Sequence, residues 1–261
     1  MANPPPKRLL VIAGSDSSAG AGLQADLKTA QFFGVYAQTA VTAVTVQDTS
    51  GVHATVAMPP EIVRDQIRAA LDDIGADAIK IGMLANAAIA ASVAEALLGT
   101  DIPLVLDPVL VSSSGTPLLD RAGIEILKSR LMPRAALVTP NLPECEALVG
   151  IRPEGDHAIA EAAQAFALLG AHHVLFKGGH GGGATVRDVL TGADGHSIVF
   201  QSPRQDTPHT HGTGCVLSTA IACGLAQGRP LAEAVKQAHA FVQNAVATAP
   251  GLGRGHGPLN L

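Results

Sequence analysis

The chain has 261 residues, 47% of them hydrophobic and 3% aromatic, with a formal charge of −5 and a pI of about 6.0. This length suits one large α/β core, and we expect a single domain over residues 1–261 with a flexible start over residues 1–7. The lack of a basic stripe disfavours a nucleic-acid-binding surface, and no apolar run reaches the roughly 18 residues of a membrane span. Three cysteines without a Cys-x-x-Cys pair disfavour a disulfide framework and a zinc site. We therefore expect a cytoplasmic protein from a reducing compartment.

Apolar runs of strand length alternate with helical patterns along the chain. Strands are predicted at residues 9–13, 37–46, 52–57, 78–81, 104–106, 136–138, 173–176, 186–190 and 197–200. Helices are predicted at residues 23–33, 60–74, 87–98, 122–131, 143–149, 158–169, 213–226 and 231–247. We expect Gly14 to end the first strand and Gly192-Ala193-Asp194-Gly195 to close a hairpin. The alternation predicts an α/β fold with a mostly parallel central sheet.

Polar and glycine-rich residues follow the ends of several predicted strands. In open parallel sheets a ligand lies beyond the carboxyl ends of the strands, so we expect the functional site at that edge. The residues concerned are Gly14-Ser15-Asp16, Gly82-Met83, Asp107-Pro108, Asn141 and Lys177-Gly178-Gly179.

The segment that leads into the predicted helix at 213–226 carries the strongest chemical information. It reads His211-Gly212-Thr213-Gly214-Cys215. The first turn of a helix leaves N–H groups without partners, and glycine lets the backbone approach an anion closely. We expect the helix field to lower the pKa of the Cys215 thiol. An anion cradle and an activated base in one turn indicate phosphoryl transfer.

Asn141 and Glu144 lie three residues apart after a predicted strand, so their side chains share one face of a helical turn. Such a pair can organise a hydrated Mg²⁺, which keeps several of its waters. The same spacing is that of a capping box, and spacing alone favours the cap.

Two charged residues at strand ends also have two interpretations each. Lys177 could reach a nucleotide phosphate, or it is a solvated lysine before a flexible loop. Asp107 could contact Mg²⁺ or phosphate through water, although a turn-forming Asp-Pro alone explains its position.

The loop from Gly14 to Gly22 lacks both the Lys-Ser/Thr of a phosphate loop and the glycine register of a dinucleotide-binding motif. We interpret it as a polar substrate loop, followed one turn later by Asp26. Gln47 ends the second predicted strand, and its amide could pair with a heterocycle that carries an amino group beside a ring nitrogen. The alternatives are an amphipathic-helix residue for Asp26 and a turn-stabilising residue for Gln47.

Eight segments in order resemble the hydroxymethylpyrimidine/phosphomethylpyrimidine kinase family of thiamine biosynthesis, within the ribokinase-like superfamily. They are Ala13-Gly14-Ser15-Asp16-Ser17-Ser18, residues 20–29, residues 47–52, Lys80-Ile81-Gly82-Met83-Leu84, Asp107-Pro108-Val109, residues 139–144, Lys177-Gly178-Gly179-His180 and residues 211–215. The resemblance implies a three-layer αβα ribokinase-like fold, the use of ATP and Mg²⁺, and a homodimer. Ala19 departs from the pattern, since many relatives have glycine there.

The resemblance also implies a role for each matching residue. The residues implied to contact the substrate are Gln47, Met83, Asp26, Gly14 and Val109. Nucleotide contacts fall to Thr213, Lys177, Asn141 and Asp107, and Glu144 orders Mg²⁺ through water. Catalysis falls to Cys215 as the base and to Gly212 and Gly214, whose N–H groups hold the transferring phosphoryl oxygens.

The implied reaction is ATP-dependent phosphorylation of 4-amino-5-hydroxymethyl-2-methylpyrimidine and then of its monophosphate. One alternative is a pyridoxal kinase, because some of these carry the same Gly-Thr-Gly-Cys element. Another is a non-catalytic pyrimidine-binding protein, which the presence of Cys215, Asn141, Glu144 and Lys177 disfavours. A dinucleotide-dependent oxidoreductase is disfavoured by the missing glycine fingerprint.

Overall fold

The computed structural model describes residues 5–112, 115–180 and 183–261. Its strands are β1 Arg8–Asp16, β2 Tyr36–Asp48, β3 Gly51–Ala57, β4 Ala78–Ile81, β5 Leu104–Leu106, β6 Leu137–Val138, β7 His173–Phe176, β8 Thr185–Gly192 and β9 Ser197–Pro203. Its helices are α1 Gly22–Phe32, α2 Pro60–Asp73, α3 Ala87–Ala96, α4 Arg121–Ile126, α5 Leu142–Val149, α6 Asp156–Leu168, α7 Thr213–Ala226 and α8 Leu231–Ala247.

All of these strands belong to one sheet with the order β3-β2-β1-β4-β5-β6-β7-β8-β9. The six strands from β2 to β7 are parallel, whereas β3 at one edge and β8 and β9 at the other run antiparallel to their neighbours. The strand order changes direction at β1, which lies between β2 and β4. Such a switch point is where an open α/β sheet leaves a crevice for a ligand.

The sheet is covered on both faces, which confirms the three-layer α/β prediction. Successive residues of β1 point to opposite faces because strand side chains alternate. Leu10 and Ile12 join the core beneath α2, α3, α5 and α6, whereas Leu9 and Val11 join the core beneath α1, α7 and α8. The site described below lies at the carboxyl edge of the sheet and takes residues from α7 on the second face and from α5 on the first.

Two predicted boundaries are wrong for identifiable reasons. Gly14 does not end β1; the register with β2 shifts between Ala13 and Ser15, so Gly14 marks a bulge and the strand continues to Asp16. The segment predicted as one helix at 122–131 is α-helical only to Ile126. From Leu127 to Leu131 it forms a wider π-helical turn, which precedes Pro133.

The predicted flexible start falls partly on residues 1–4, which lie outside the described part of the chain. At Lys7 the backbone carbonyl already accepts a hydrogen bond from the N–H of Tyr36.

Among the described residues, every helix is too short or too polar to reach across a lipid bilayer.

Candidate active site

Two loops meet at the carboxyl edge of the sheet because neither carries a side chain at the point of contact. Gly212 has a φ of 85°, and a Cβ built on it would collide with the carbonyl oxygen of Gly20. A Cβ on Gly20 would in turn meet the ring of His211. The glycines therefore hold the loop after β1 directly against the start of α7.

Lys177, which follows β7, lies between two carboxylates. Its Nζ is 2.8 Å from Asp107 Oδ1 and 3.8 Å from Glu144 Oε2, and only 12% of its side chain is exposed. Asp107 is buried and also accepts hydrogen bonds from Thr139 and Ser218. Burial opposes the charge on Asp107, yet Lys177, Lys80 and the hydrogen bonds outweigh burial and lower the pKa of this carboxyl. The interpretations of Lys177 as solvated and of Asp107 as a simple turn residue are therefore wrong.

This charged cluster lies against the first turn of α7. A Cβ on Gly214 would be 3.3 Å from Lys177 Nζ and 3.6 Å from Asp107 Oδ2. Among the described residues, the N–H groups of Gly214 and Cys215 have no acceptor, as is usual at a helix start. The hydroxyl of Thr213, a predicted nucleotide contact, donates to the carbonyl of Thr210 at 2.6 Å. A lysine and two free amide donors thus face the same space, which suits a phosphoryl group.

Asn141 and Glu144 form the capping box that their spacing favours. The side-chain Oδ1 of Asn141 accepts from the N–H of Glu144, and the Glu144 carboxylate accepts from the N–H of Asn141, both at 2.8 Å, so the capping box is confirmed. Burial raises the pKa of Glu144 to about 7, although Lys177 opposes this shift. The cap therefore holds a carboxylate in place beside Lys177.

A second lysine–carboxylate pair lies behind Cys215. Lys80 Nζ is 2.8 Å from Asp26 Oδ2, and neither side chain has any exposed surface. The other oxygen of Asp26 accepts a hydrogen bond from Thr219 at 2.6 Å. The alternative interpretation of Asp26, as an ordinary residue of an amphipathic helix, is therefore wrong. Since both its oxygens are engaged inside the protein, a direct contact with substrate would require it to leave one of these partners.

The expected activation of Cys215 by the helix field is wrong for the ligand-free protein. Burial raises the pKa of its thiol to about 11. Lys80 and the N–H of Gly22 favour the thiolate, but desolvation and the carboxylates of Asp26 and Asp107 outweigh them. Cys215 is consequently a neutral thiol at physiological pH, half-buried at the start of α7.

On the β1 side, two of the predicted substrate residues are in contact. A Cβ on Gly14 would be 2.9 Å from the sulfur of Met83, so the absence of a side chain makes room for Met83. Thr42 donates to the Met83 carbonyl at 2.6 Å and fixes this turn. Val109 lies two residues beyond Asp107, with its N–H bonded to the Asp107 carbonyl.

Gln47 is linked to the start of α7 through His211. His211 Nε2 is 2.9 Å from Asp16 Oδ2 and 3.3 Å from Gln47 Nε2. Burial alone would raise the pKa of Asp16, but hydrogen bonds from His211, Ser18 and Ala21 outweigh burial and lower it. Asp16 is therefore an ionised, buried acceptor at neutral pH.

Sequence reasoning gave no individual role to several residues of this site: Asp16, Thr45, Lys80, Thr139, His211, Ser218 and Thr219. Lys80 carries a readable signal, since a lysine inside the apolar strand Ala-Ile-Lys-Ile of a parallel sheet needs a buried carboxylate partner. The hydroxyl residues carry none, because serine and threonine are common in apolar strands and helices.

No group of three or more histidine, cysteine or carboxylate ligands capable of holding a metal occurs in the described part of the chain. Glu144 and Asp107 both lie within 3.8 Å of Lys177 Nζ, which partly neutralises them. This donor set fits a Mg²⁺ bound mainly by water and substrate phosphates rather than an all-protein metal site.

Solved structures share this fold over nearly the whole chain. An ADP complex of Bacillus subtilis pyridoxal kinase matches with a TM-score of 0.89 and 34% identity, covering 98% of this chain and 97% of that one. A phosphomethylpyrimidine kinase from Clostridium difficile matches with a TM-score of 0.81 and 37% identity, covering 92% and 99%. The fold and the site define a ribokinase-like kinase.

A family model described as phosphomethylpyrimidine kinase matches residues 16–260. A hydroxymethylpyrimidine/phosphomethylpyrimidine kinase from Haemophilus influenzae is 45% identical over 260 residues, 97% of this chain and 96% of that protein. The chain belongs to the phosphomethylpyrimidine kinase family, which confirms the resemblance seen in the sequence.

Proposed function

We propose that this chain, as one cytoplasmic kinase domain, transfers a phosphoryl group from ATP to 4-amino-5-hydroxymethyl-2-methylpyrimidine and then to the resulting monophosphate, in thiamine biosynthesis. The observation that carries the proposal is the convergence of Lys177, Asp107 and the free N–H groups of Gly214 and Cys215 on one space. Phosphoryl transfer depends mainly on positioning and charge stabilisation, which such a cluster supplies. Three free cysteines agree with a reducing compartment.

In this proposal the residues divide the work by position. Lys177 and the first turn of α7 bind the phosphoryl oxygens, with Asn141 and Thr213 nearby on the nucleotide side. Gln47, Met83, Gly14 and Val109 bind the pyrimidine. Asp26 acts through Lys80 and Thr219, which hold α7 in place.

Cys215 has a different part in the two steps. Its neutral thiol must lose a proton before it can deprotonate the hydroxymethyl group in the first step; otherwise it orients that hydroxyl as a hydrogen-bond partner. The acceptor of the second step is a phosphate oxygen that is already ionised, so this step needs no base.

Glu144 would hold a Mg²⁺ through water, with Asp107 close by. When bound, Mg²⁺ neutralises the phosphate oxygens during transfer. The capping box contributes by fixing the Glu144 carboxylate before any ligand arrives.

Replacing Cys215 tests the proposal directly. Cys215→Ala should preserve the fold and lower the turnover of the first step by about 10²–10⁴-fold, the usual contribution of base catalysis, while the second step falls less. Cys223→Ala, a buried cysteine of the same helix, is the matched control. Near-normal turnover of the first step in Cys215→Ala would contradict the base role. Pyrimidine binding by the unmodified protein without ATP consumption would instead identify a non-catalytic binding protein.

Pyridoxal is the second candidate substrate, because a solved pyridoxal kinase shares the fold over 98% of this chain. The higher identity to a hydroxymethylpyrimidine/phosphomethylpyrimidine kinase, 45% against 34%, supports the pyrimidine. Side-by-side measurement of kcat/KM for the two substrates decides between them.

We also propose a homodimer that forms through the antiparallel pair of strands β2 and β3 at one edge of the sheet. Val44 and Val56 are directly paired across β2 and β3, and Val46 follows on the same face; they are 48%, 66% and 59% exposed. An apolar cluster of this kind on a sheet edge is typical of an interface. Val46→Lys should shift the sedimentation coefficient from dimer to monomer, whereas a monomeric unmodified protein would contradict the proposal.

A further inference from the structure

Three buried side chains link Gln47, the predicted pyrimidine contact, to the first turn of α7. Asp16, Thr45 and His211 are 3%, 4% and 7% exposed. His211 Nε2 lies between Asp16 Oδ2, at 2.9 Å, and the Gln47 amide, at 3.3 Å. The other end of that amide is 3.1 Å from Thr45 Oγ1, whose hydroxyl also lies 2.9 Å from the carbonyl of Ser15.

The polarity of this chain of hydrogen bonds follows from Asp16. An ionised carboxylate only accepts, so the proton of the His211 imidazole must be on Nε2 to bind it. The Gln47 group that faces His211 in the structure is its NH₂, so two donors meet there. Two N–H groups cannot hydrogen-bond to each other, so in this orientation the Gln47 NH₂ gains no acceptor from His211.

A half-turn of the Gln47 amide removes this contact between two donors. The oxygen and nitrogen of the amide have nearly the same shape, so the surrounding network decides which end faces His211. After the half-turn, Oε1 faces the Nε2–H of His211, whose single hydrogen it shares with Asp16 Oδ2 in a three-centre hydrogen bond, and the NH₂ donates to Thr45 Oγ1. Thr45 is free to accept because its own hydrogen is directed to the Ser15 carbonyl.

We propose that Asp16, His211 and Thr45 are positioning residues that fix the Gln47 amide in this order and thereby determine substrate specificity. The amide then presents an acceptor on the His211 side and a donor on the Thr45 side. The complementary ligand has an exocyclic amino group directed to the acceptor and an unprotonated ring nitrogen beside it, directed to the donor. The inference rests on the proposed function and specifies how that site reads its pyrimidine.

A pair of substrates with opposite hydrogen-bond order tests the inference. The first is 4-amino-5-hydroxymethyl-2-methylpyrimidine; the second is its 4-oxo analogue, which carries a carbonyl and a ring N–H in place of the amino group and the ring nitrogen. Fixed in one order, the amide should favour the amino compound in kcat/KM by roughly tenfold or more, mostly through KM. In His211→Phe the amide is free to turn, and this preference should fall at least severalfold while turnover at saturating amino compound persists.

His53→Phe is the matched control, because His53 is an exposed histidine paired with Asp48 just beyond Gln47. It should leave the preference unchanged. Thr45→Val removes the other anchor and should lower the preference as His211→Phe does, so the test survives if either variant fails to fold.

The protonation of His211 gives a second, direct readout. Nitrogen-15 NMR of the imidazole should show a hydrogen on Nε2 in the ligand-free protein, and an unprotonated Nε2 would overturn the inference. It is also overturned if the unmodified enzyme uses both pyrimidines equally, or if His211→Phe and Thr45→Val fold and keep the full preference. If the enzyme phosphorylates neither pyrimidine, it is the proposed function that fails.

Discussion

The molecule contains two lysine–aspartate pairs of equal length that differ in what surrounds them. Asp26–Lys80 and Asp107–Lys177 both have an N–O distance of 2.8 Å. The first pair is completely buried and its third member is the neutral hydroxyl of Thr219. In the second, Lys177 remains 12% exposed and has a second carboxylate, Glu144, within 3.8 Å.

This difference separates a structural role from a chemical one. The Asp26–Lys80 pair, which we call the sealed pair, connects α1, β4 and α7, and neither of its side chains has any exposed surface. The Asp107–Lys177 pair, which we call the open pair, holds a cation at the edge of the space in front of α7. This cation is already desolvated and oriented for an anion. An ion pair inside a protein is therefore informative about function mainly through the exposure of its members.

The largest effect should follow from breaking the sealed pair. Lys80→Met leaves the Asp26 carboxylate buried without a cation, and we expect a loss of about 3–5 kcal/mol in the free energy of unfolding. Urea denaturation measures it. The double variant Asp26→Leu/Lys80→Met should recover much of that loss, because neither charge remains. A stable Lys80→Met protein would show that the pair does not hold the three elements together.

Breaking the open pair should instead reduce activity. Lys177→Met removes the cation that faces the phosphoryl group, and we expect kcat/KM for ATP to fall by about 10²–10³-fold with a smaller change in stability than in Lys80→Met. Lys236→Met, at an exposed position of α8, is the control. Equal losses of stability in the two buried-lysine variants would remove the distinction between the pairs.

The Cys215 thiol lies close enough to both pairs to report on their charges. Because its pKa is raised to about 11, the thiolate fraction and the rate of alkylation by iodoacetamide should rise about tenfold per pH unit from pH 7 to 10. In Lys80→Met the rate at a given pH should be lower, since a stabilising cation is lost. A rate that levels off near pH 8.5 would contradict the raised pKa.

The smallest effects should come from two neighbours on α7, one for each pair. Thr219→Val removes the 2.6 Å hydrogen bond to Asp26 and should lower stability by about 1–2 kcal/mol. Ser218→Ala removes a hydroxyl that lies 3.3 Å from Asp107 and 2.9 Å from the carbonyl of Gly214 in its own helix, and it should cost about 0.5 kcal/mol. Thermal unfolding compares them, and the reverse order would contradict the greater dependence of the sealed pair on its partners.

The elements and the location of the site could be predicted from the sequence because they depend on local patterns. Apolar runs ending at polar residues mark the carboxyl edge of the sheet, where Asp107 and Lys177 do meet. The direction of the Cys215 pKa shift could not be predicted, since it depends on Asp26, Lys80 and Asp107, which are distant in sequence. The partnership of Asp16 with His211, 195 residues apart, is equally invisible before the chain folds.

One departure from the family pattern has a local explanation. Ala19 has a φ of 59°, a left-handed conformation that glycine adopts without a steric cost. A glycine at this position would therefore relieve the backbone of that cost.

The contact between Gly20 and Gly212 limits how this enzyme can change in the course of evolution. Any side chain at Gly212 would force apart the loop after β1 and the start of α7. Laboratory selection for new acceptors should therefore leave both glycines intact and draw its variation from Gln47, Met83 and Val109. Broader substrate scope in this scaffold is accessible by reshaping the walls of the site, and not by moving the loops that join its halves.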